Sequence, residues 1–128
     1  MKLRLTTTND LNAVMTIINQ AKKYFKEQGI NQWQDGYPNE NSIINDIDHQ
    51  EAYVLEINGE IVATAMISKA LEPNYNYIDG KWLQNANYIT VHRIAIRNDQ
   101  KGNGLAKIIM DEATKLYPKL PSIRIDTH

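Results

Sequence analysis

The fold is decided by the stretch IAIRNDQKGNGLAK, residues 94–107. An apolar run ends in a turn that contains Gly102 and Gly104, and this turn opens directly onto residues with the spacing of an amphipathic helix. Glycine allows a ligand to approach the backbone closely, and the first N–H groups of a helix have no partner within the helix. The helix dipole adds a preference for negative charge there. The stretch therefore predicts a strand, a glycine turn and a helix start that together bind an anion, most naturally a phosphate group.

Length and composition limit the class of protein. A chain of 128 residues suits a single domain, residues 1–128, with one hydrophobic core. The formal net charge of −1 gives no general reason to bind nucleic acid or an anionic membrane, so affinity for an anion must be local. The chain has no cysteine, which excludes a disulfide scaffold, a thiolate metal site and a catalytic cysteine. No run approaches the ~18 apolar residues of a membrane span, and we expect a cytoplasmic protein.

The first third of the chain predicts a strand followed by a helix. Leu3–Leu5 alternate with polar residues as a short strand. Residues Thr8–Asp10 then offer helix caps, and Gly29 ends the helix. The apolar residues that recur at helical spacing between them are Leu11, Val14, Met15, Ile18, Ala21 and Phe25.

A second helix and a hairpin follow. Asn39 or Asn41 caps a short helix with an apolar face. That face consists of Ile43, Ile44 and Ile47. Two β-like runs, 52–57 and 61–68, are joined through Asn58-Gly59, which is a strong hairpin signal.

The second half predicts a long excursion and then a β-α-β unit. Residues 71–87 show no period of either kind, and 88–96 form a fourth, apolar strand. The helix after the glycine turn ends at Pro118, and 122–127 form a last strand parallel to the fourth. The apolar face of this helix consists of Leu105, Ile108, Ile109, Ala113 and Leu116. The expected fold is α+β in the order β-α-α-β-β-β-α-β, with a mixed, mainly antiparallel sheet.

Three phosphate-binding patterns compete for the glycine turn. A P-loop needs a glycine, four further residues and then Gly-Lys-Ser/Thr, and neither Gly102 nor Gly104 has that spacing. A dinucleotide fingerprint requires a third glycine at the position of Lys107. The segment 101–106 instead resembles the pyrophosphate loop Arg/Gln-x-x-Gly-x-Gly/Ala of the GCN5-related N-acetyltransferases. Lys101 stands where that family has Arg or Gln, and a lysine lacks the bidentate grip of arginine.

The resemblance to this family covers almost the whole chain, because the predicted order of strands and helices is that of the acetyltransferases. Several segments outside the turn also look like a bacterial branch of small members. These are Gln32-Trp33, Gly36-Tyr37-Pro38, residues 91–95 and residues 124–128.

The resemblance implies acetyl-CoA as the cofactor. In this family the fourth strand bends at a bulge and separates from the fifth, and the pantetheine arm pairs with the strand backbone. The N–H groups of the glycine turn hold the diphosphate, with the side chains of Asn103 and Lys107 as further contributors. The residues so assigned are Ile94, Ala95, Ile96, Gln100, Lys101, Gly102, Asn103, Gly104, Leu105, Ala106 and Lys107.

The implied reaction moves an acetyl group to a primary amine by direct attack on the thioester, without a metal. A backbone N–H near the bulge stabilises the oxyanion, and a base takes the amine proton. His92 precedes the cofactor-binding part of the fourth strand and is the candidate base, since histidine as a residue type titrates near neutrality. The alternative is that His92 is structural, since a histidine within a strand is more often a hydrogen-bonded structural residue. Asp126 and His128 lie near the end of the last strand, as further candidates or as surface residues.

Aromatic residues around two loops predict a pocket for the acceptor, since they combine apolar faces with polar tips. They are Trp33, Tyr37, Tyr77, Trp82 and Tyr88. The alternative is that each of them covers the core. The acceptor itself stays open between an amino acid, a polyamine, an antibiotic and a protein N-terminus.

The sequence ends at His128, directly after the last predicted strand. Members of this family usually continue through a further helix and two strands, so we expect a C-terminally incomplete domain with an unpaired sheet edge. Three outcomes stay open: a chain with the cofactor-binding parts but poor catalysis, a homodimer that completes the sheet, which we favour, and a fold that tolerates the loss. The alternative to an enzyme is a catalytically impaired module that binds CoA or dimerises.

Overall fold

The described part of the protein, in this computed structural model, comprises residues 1–31, 33–34, 36–71, 87–117 and 123–125. Its main elements are β1 (Lys2–Leu5), α1 (Leu11–Glu27), α2 (Glu40–Asp48), β2 (Ala52–Ile57), β3 (Glu60–Leu71), β4 (Asn87–Ile96), α3 (Leu105–Leu116) and β5 (Ile123–Ile125). Short 3-10 turns precede α1 and follow β4. This order confirms the predicted succession of strands and helices. Most of the predicted excursion, residues 72–86, lies outside the described ranges.

The strands form one sheet in the order β1-β2-β3-β4-β5. Neighbouring strands from β1 to β4 are antiparallel. β5 pairs with β4 in parallel, with Ile89 opposite Ile123 and Val91 opposite Ile125. The sheet is therefore mixed and mainly antiparallel, and α3 is the connection between its two parallel strands, as predicted.

Helices cover both faces of the sheet, and each face has its own buried cluster, because side chains alternate between the faces along a strand. Tyr53 and Leu55 of β2 face α3, whereas Val54 faces α1 and α2. The α3 side buries Tyr53, Leu55, Val62, Ala63, Ala65, Ile67, Ile89, Val91, Leu105, Ile109 and Ala113. The α1–α2 side buries Val14, Ile17, Ile18, Trp33, Ile43, Val54 and Ala95. The result is a three-layer α+β arrangement.

Local sequence signals explain where two elements begin and turn. Asn39 caps α2, since its Oδ1 accepts the N–H of Ser42 at 3.0 Å. The hairpin between β2 and β3 turns through Asn58 and Gly59, whose φ values of 53° and 82° are those of a tight turn that needs left-handed residues. No helix in the described ranges is long and apolar enough to cross a membrane.

Candidate functional site

The glycine turn between β4 and α3 has left-handed backbone at two positions. Gly102 has φ +85° and Gly104, the residue before α3, has φ +73°. A Cβ atom built on either glycine meets no other atom within 4 Å. Glycine is required here by the backbone conformation and not by crowding within the protein, so the space above the turn is open to a ligand.

The N–H groups of this turn are largely unused by the protein. Within α3, Ile108 donates to the carbonyl of Gly104 at 3.3 Å. In the described part of the chain, no N–H group from Gly102 to Lys107 donates to a protein acceptor. The N–H groups of Gln100 and Lys101, which the resemblance assigned to the diphosphate, are instead engaged by the carbonyls of Arg97 and Asn98 at 2.8 and 3.4 Å. The open donors therefore begin at Gly102, and they fit a diphosphate.

Helix α1 holds the segment before the glycines in place. The N–H of Asn98 donates to Gln20 Oε1 at 3.0 Å. The ammonium group of Lys101 lies 4.1 Å from the centre of the Tyr24 ring, an attractive cation–π distance. In this structure Lys101 thus contacts an aromatic ring on α1, and Asn103 donates to the side chain of Gln100 at 3.4 Å.

 β4 carries a bulge between His92 and Ala95. Thr64 of β3 pairs with Ala95 and Met66 pairs with His92, so a single residue of β3 lies opposite two residues of β4. The first of these two is Arg93, whose φ of 49° lies in the left-handed region. The bulge expected from the resemblance is therefore present, and it is centred on an arginine.

The bulge reverses the alternation of side chains along β4. Ile89 and Val91 are buried on the α3 side before the bulge. After it, Ile94 and Ile96 pack against that same cluster, and Ala95 is buried on the other side. In a regular strand Ala95 would share a face with Ile89 and Val91, because the side-chain period is two.

Among the described residues, the pairing of β4 with β5 covers the part of β4 before the bulge. The parallel register runs from Ile89 to Val91. Among the described residues, no strand lies beside β4 from His92 to Ile96 on the side of β5. Residues 126–128, which follow β5, are outside the described ranges. The backbone of Ile94–Ile96, predicted to hold the pantetheine arm, lies in this stretch.

The side chain of Arg93 joins the bulge to the helical layer. Its Nη2 donates to Oδ2 of Asp46 in α2, and its Nη1 donates to the hydroxyl of Tyr37 in the segment before α2. The guanidinium carbon lies 5.6 Å from the centre of the Tyr37 ring. The side chains of Arg93 and Asp46 are 12% and 5% exposed, so this ion pair is largely shielded from water.

Asp46 also interacts with the candidate base. Burial raises the pKa of the Asp46 carboxyl, and the charge and the hydrogen bond of Arg93 are the main influences that oppose this rise, with smaller contributions from His49 and His92. His92 is half-buried and lies opposite Met66 in the sheet. The candidate base thus lies beside the bulge and within electrostatic range of a buried carboxyl group.

The predicted aromatic residues are placed differently from one another. Tyr37 is 43% exposed and remains available to a ligand, whereas Trp33 is 7% exposed and packs edge-on against Phe25 with a ring distance of 5.5 Å. Tyr88 lies in β4, where only its backbone is described. Tyr77, Trp82, Asp126 and His128 fall outside the described ranges.

Sequence reasoning missed the Arg93–Asp46 pair. Its two members are 47 residues apart, and the resemblance assigned no role to either of them. A charged residue inside an otherwise apolar strand was the only signal available. Among the described residues, no group of three or more His, Cys, Asp or Glu side chains is arranged to hold a metal ion.

Comparison with known proteins gives the family of this chain. The model of the acetyltransferase (GNAT) family matches residues 16–127. A GNAT-family acetyltransferase from Streptococcus agalactiae 2603 is 37% identical, with a TM-score of 0.82, over 99% of this chain and 75% of that chain. A GNAT-family acetyltransferase from Listeria monocytogenes 4b F2365 is 21% identical, with a TM-score of 0.73, over 98% of this chain and 76% of that chain. A search of curated proteins found none that matches.

A third solved structure is that of a predicted acetyltransferase from Clostridium acetobutylicum with acetyl-CoA, 17% identical, with a TM-score of 0.64, over 98% of this chain and 80% of that chain. This structure and the Listeria structure show a shared fold alone. The family match and the Streptococcus relative go further, because they cover most of this chain. The chain therefore belongs to the GNAT acetyltransferase family.

Proposed function

We propose that this protein transfers the acetyl group of acetyl-CoA to a primary amine of a small molecule or peptide. The observation that carries the proposal is the run of open N–H groups from Gly102 to Lys107 at the start of α3. A short segment with one 3-10 turn connects them to a bulged strand whose backbone, from His92 to Ile96, has no described neighbour on the side of β5. A diphosphate at the turn would place an extended arm along that strand.

Each part of the cofactor has candidate partners in this arrangement. The N–H groups of Gly102–Lys107 would hold the diphosphate, aided by the dipole of α3 and by the exposed side chain of Lys107. The backbone of Ile94–Ile96 would hold the pantetheine arm. When bound, acetyl-CoA supplies the thioester and the thiol leaving group.

The reaction makes one bond and breaks another. The amine nitrogen attacks the carbonyl carbon, the new C–N bond forms, the C–S bond breaks, and the sulfur leaves as a thiolate that takes up a proton. His92 would accept the proton that the amine loses, and a backbone N–H beside the bulge would stabilise the oxygen as it becomes negative. Tyr37, exposed next to Arg93, would line the path of the acceptor.

Titration and turnover test the proposal together. Calorimetric titration with CoA and with acetyl-CoA is expected to give binding with a Kd in the micromolar range, and a thiol-release assay over a panel of amines is expected to give turnover. Binding without thiol release would indicate a CoA-binding module. Absence of both would remove the cofactor from the proposal.

Gly104→Asp tests the proposed diphosphate site. A carboxylate at this position faces the phosphates, and we expect the affinity for CoA to fall at least about a hundredfold. Gly29→Asp is the matched control, because Gly29 has φ +71° and equally open space but lies at the end of α1. Equal CoA affinity in the two variants would contradict the proposed site.

His92→Ala tests the proposed base. Loss of a general base typically lowers the rate by about 10²–10⁴-fold, and we expect kcat to fall in this range while the affinity for CoA stays near the wild-type value. A wild-type kcat in this variant would remove His92 from the mechanism.

A further inference from the structure

The left-handed backbone of Arg93 is unusual for its place in a strand. Its φ of 49° lies in a region that non-glycine residues rarely occupy, and it lies in the middle of a ten-residue strand. Such a conformation costs free energy and persists only where surrounding contacts hold it. The contacts that hold Arg93 are therefore informative about what the bulge is for.

These contacts come from outside the sheet. Arg93 donates to Asp46 in α2 and to the Tyr37 hydroxyl in the segment that leads to α2. Asp46 is 3% exposed, so its carboxylate and the guanidinium group attract each other in surroundings that screen charge weakly. The bulge, α2 and the segment before α2 are thus joined through one side chain.

We propose that Arg93, Asp46 and Tyr37 form a positioning clamp that fixes the β4 bulge relative to α2. This inference rests on the proposed function. The residues directly after Arg93 are Ile94–Ile96, whose backbone is proposed to hold the pantetheine arm. Tyr37 is exposed on the proposed acceptor side. The clamp would therefore align the acetyl group with the incoming amine by holding the bulge in place, and Tyr37 would in addition line the path of the acceptor.

A second ion-pair cluster shows what a purely structural arrangement looks like. Arg4 of β1 binds Asp10 at 2.8 Å and Glu56 of β2 at 3.0 Å, with its side chain 26% exposed. Among the described residues, Arg4 and its partners all have negative φ. This cluster joins β1, β2 and the start of α1 and is not part of the β4–α3 site, so it is the matched control for the clamp.

The kinetic test uses a double variant, Arg93→Gln with Asp46→Asn. It removes both charges together, so neither is left buried without its partner. We expect kcat to fall at least about tenfold, because a displaced reacting group loses alignment. The KM for acetyl-CoA is expected to stay within about twofold of wild type, since the Gly102–Lys107 donors are untouched. Arg93→Lys, which keeps the charge, is expected to recover part of the lost kcat.

A milder variant covers the case in which the double variant does not fold. Tyr37→Phe removes one hydrogen-bond acceptor from an exposed residue and keeps the ring. We expect a smaller fall in kcat in the same direction. The control Arg4→Gln with Asp10→Asn is expected to lower stability but to leave kcat within about twofold of wild type. A control that loses as much kcat as the clamp variants would overturn the proposal.

Hydrogen exchange provides a readout that is independent of turnover. In the Arg93→Gln/Asp46→Asn variant, amides of 91–97 and of 37–46 are expected to exchange at least about tenfold faster than in wild type, relative to the amides of β1 and β2. Unchanged exchange in both segments, with unchanged kcat, would overturn the clamp. If the wild-type protein binds CoA but acetylates no amine, the proposed function fails, and the exchange result still decides whether the clamp exists.

Discussion

Left-handed backbone occurs within β4, at Arg93, and in the turn before α3, at Gly102 and Gly104, and these two places are built differently. At Gly102 and Gly104 the residues have no side chain, and the space around the turn is open. At Arg93 the residue has a long side chain that binds Asp46 and Tyr37. The glycine turn leaves donors free for a ligand, whereas the bulge uses contacts within the protein to hold its shape. The turn proposed to bind a ligand and the bulge thus share left-handed backbone, the turn through glycines and the bulge through a long side chain that binds its neighbours.

The largest expected effect is on stability at the bulge. Arg93→Met leaves the buried carboxylate of Asp46 without its partner, which typically lowers the free energy of unfolding by about 3–5 kcal/mol. Urea denaturation followed by circular dichroism measures this loss. A loss of less than about 1 kcal/mol would show that the pair does not hold the bulge.

The companion variant for this measurement is Arg93→Met with Asp46→Leu. Replacing both members of a buried ion pair by apolar residues is often neutral or stabilising, because no charge then remains buried. We expect the double variant to recover most of the stability that the single variant loses. A double variant as unstable as Arg93→Met would point to the packing of the arginine stem as the main contribution.

The pH dependence of stability separates Asp46 from an ordinary paired carboxylate. Hydrogen bonding to Arg4 is the main cause that lowers the pKa of Asp10 from 3.8 to about 2. Asp10 therefore contributes about 2 kcal/mol to the free energy of unfolding above pH 4, and this contribution is lost as the pH falls towards 2. Burial raises the pKa of Asp46, so the pH dependence of its contribution to the free energy of unfolding is reversed. This contribution is present at low pH and is lost as the pH rises through the folded pKa.

Urea denaturation of two variants as a function of pH measures this contrast. The stability difference between wild type and Asp10→Asn is expected to shrink as the pH falls from 4 to 2. The stability of wild type relative to Asp46→Asn is expected to increase as the pH falls from neutrality. Parallel pH profiles for the two variants would contradict the contrast between the two carboxyl groups.

A smaller loss in the free energy of unfolding is expected for a substitution in the glycine turn. Gly104→Ala introduces a Cβ that meets no atom within 4 Å, so its cost is confined to the left-handed backbone, about 1–2 kcal/mol. Gly29→Ala, with φ +71° against +73°, is expected to cost a similar amount. Thermal denaturation compares the two. A much larger loss at Gly104 would show that the turn is more crowded than the structure indicates.

Much of the fold is predictable from the sequence, because its signals are local. Asn58-Gly59 specifies the hairpin through residues that tolerate positive φ, and Asn39 caps α2 through a side chain three residues from its partner. The glycine turn is equally local, since Gly102 and Gly104 carry the required conformation themselves. These signals need no knowledge of the rest of the chain.

The support of the candidate site is not predictable in this way. The partners of Arg93 lie 47 and 56 residues away, and arginine has no preference for left-handed backbone. The expectation that Gln100 and Lys101 would offer free N–H groups had the same weakness. A 3-10 turn over Asn98–Gln100 uses the N–H groups of both residues, and no local sequence signal predicted this turn.

The smallest expected effect concerns Lys101, which lies in sequence between the bulge at Arg93 and the two glycines of the turn. Its ammonium group is 4.1 Å from the centre of the Tyr24 ring, and the Tyr24 side chain is exposed, so the contact is worth about 0.5–1 kcal/mol. A double-mutant cycle with Lys101→Gln and Tyr24→Leu measures this coupling by urea denaturation, and CoA titration of the same variants measures its effect on binding. If the ring holds Lys101 away from the diphosphate, Tyr24→Leu raises the affinity for CoA while Lys101→Gln lowers it only slightly. A large loss of affinity in Lys101→Gln alone would instead show that the lysine leaves the ring when the phosphates bind.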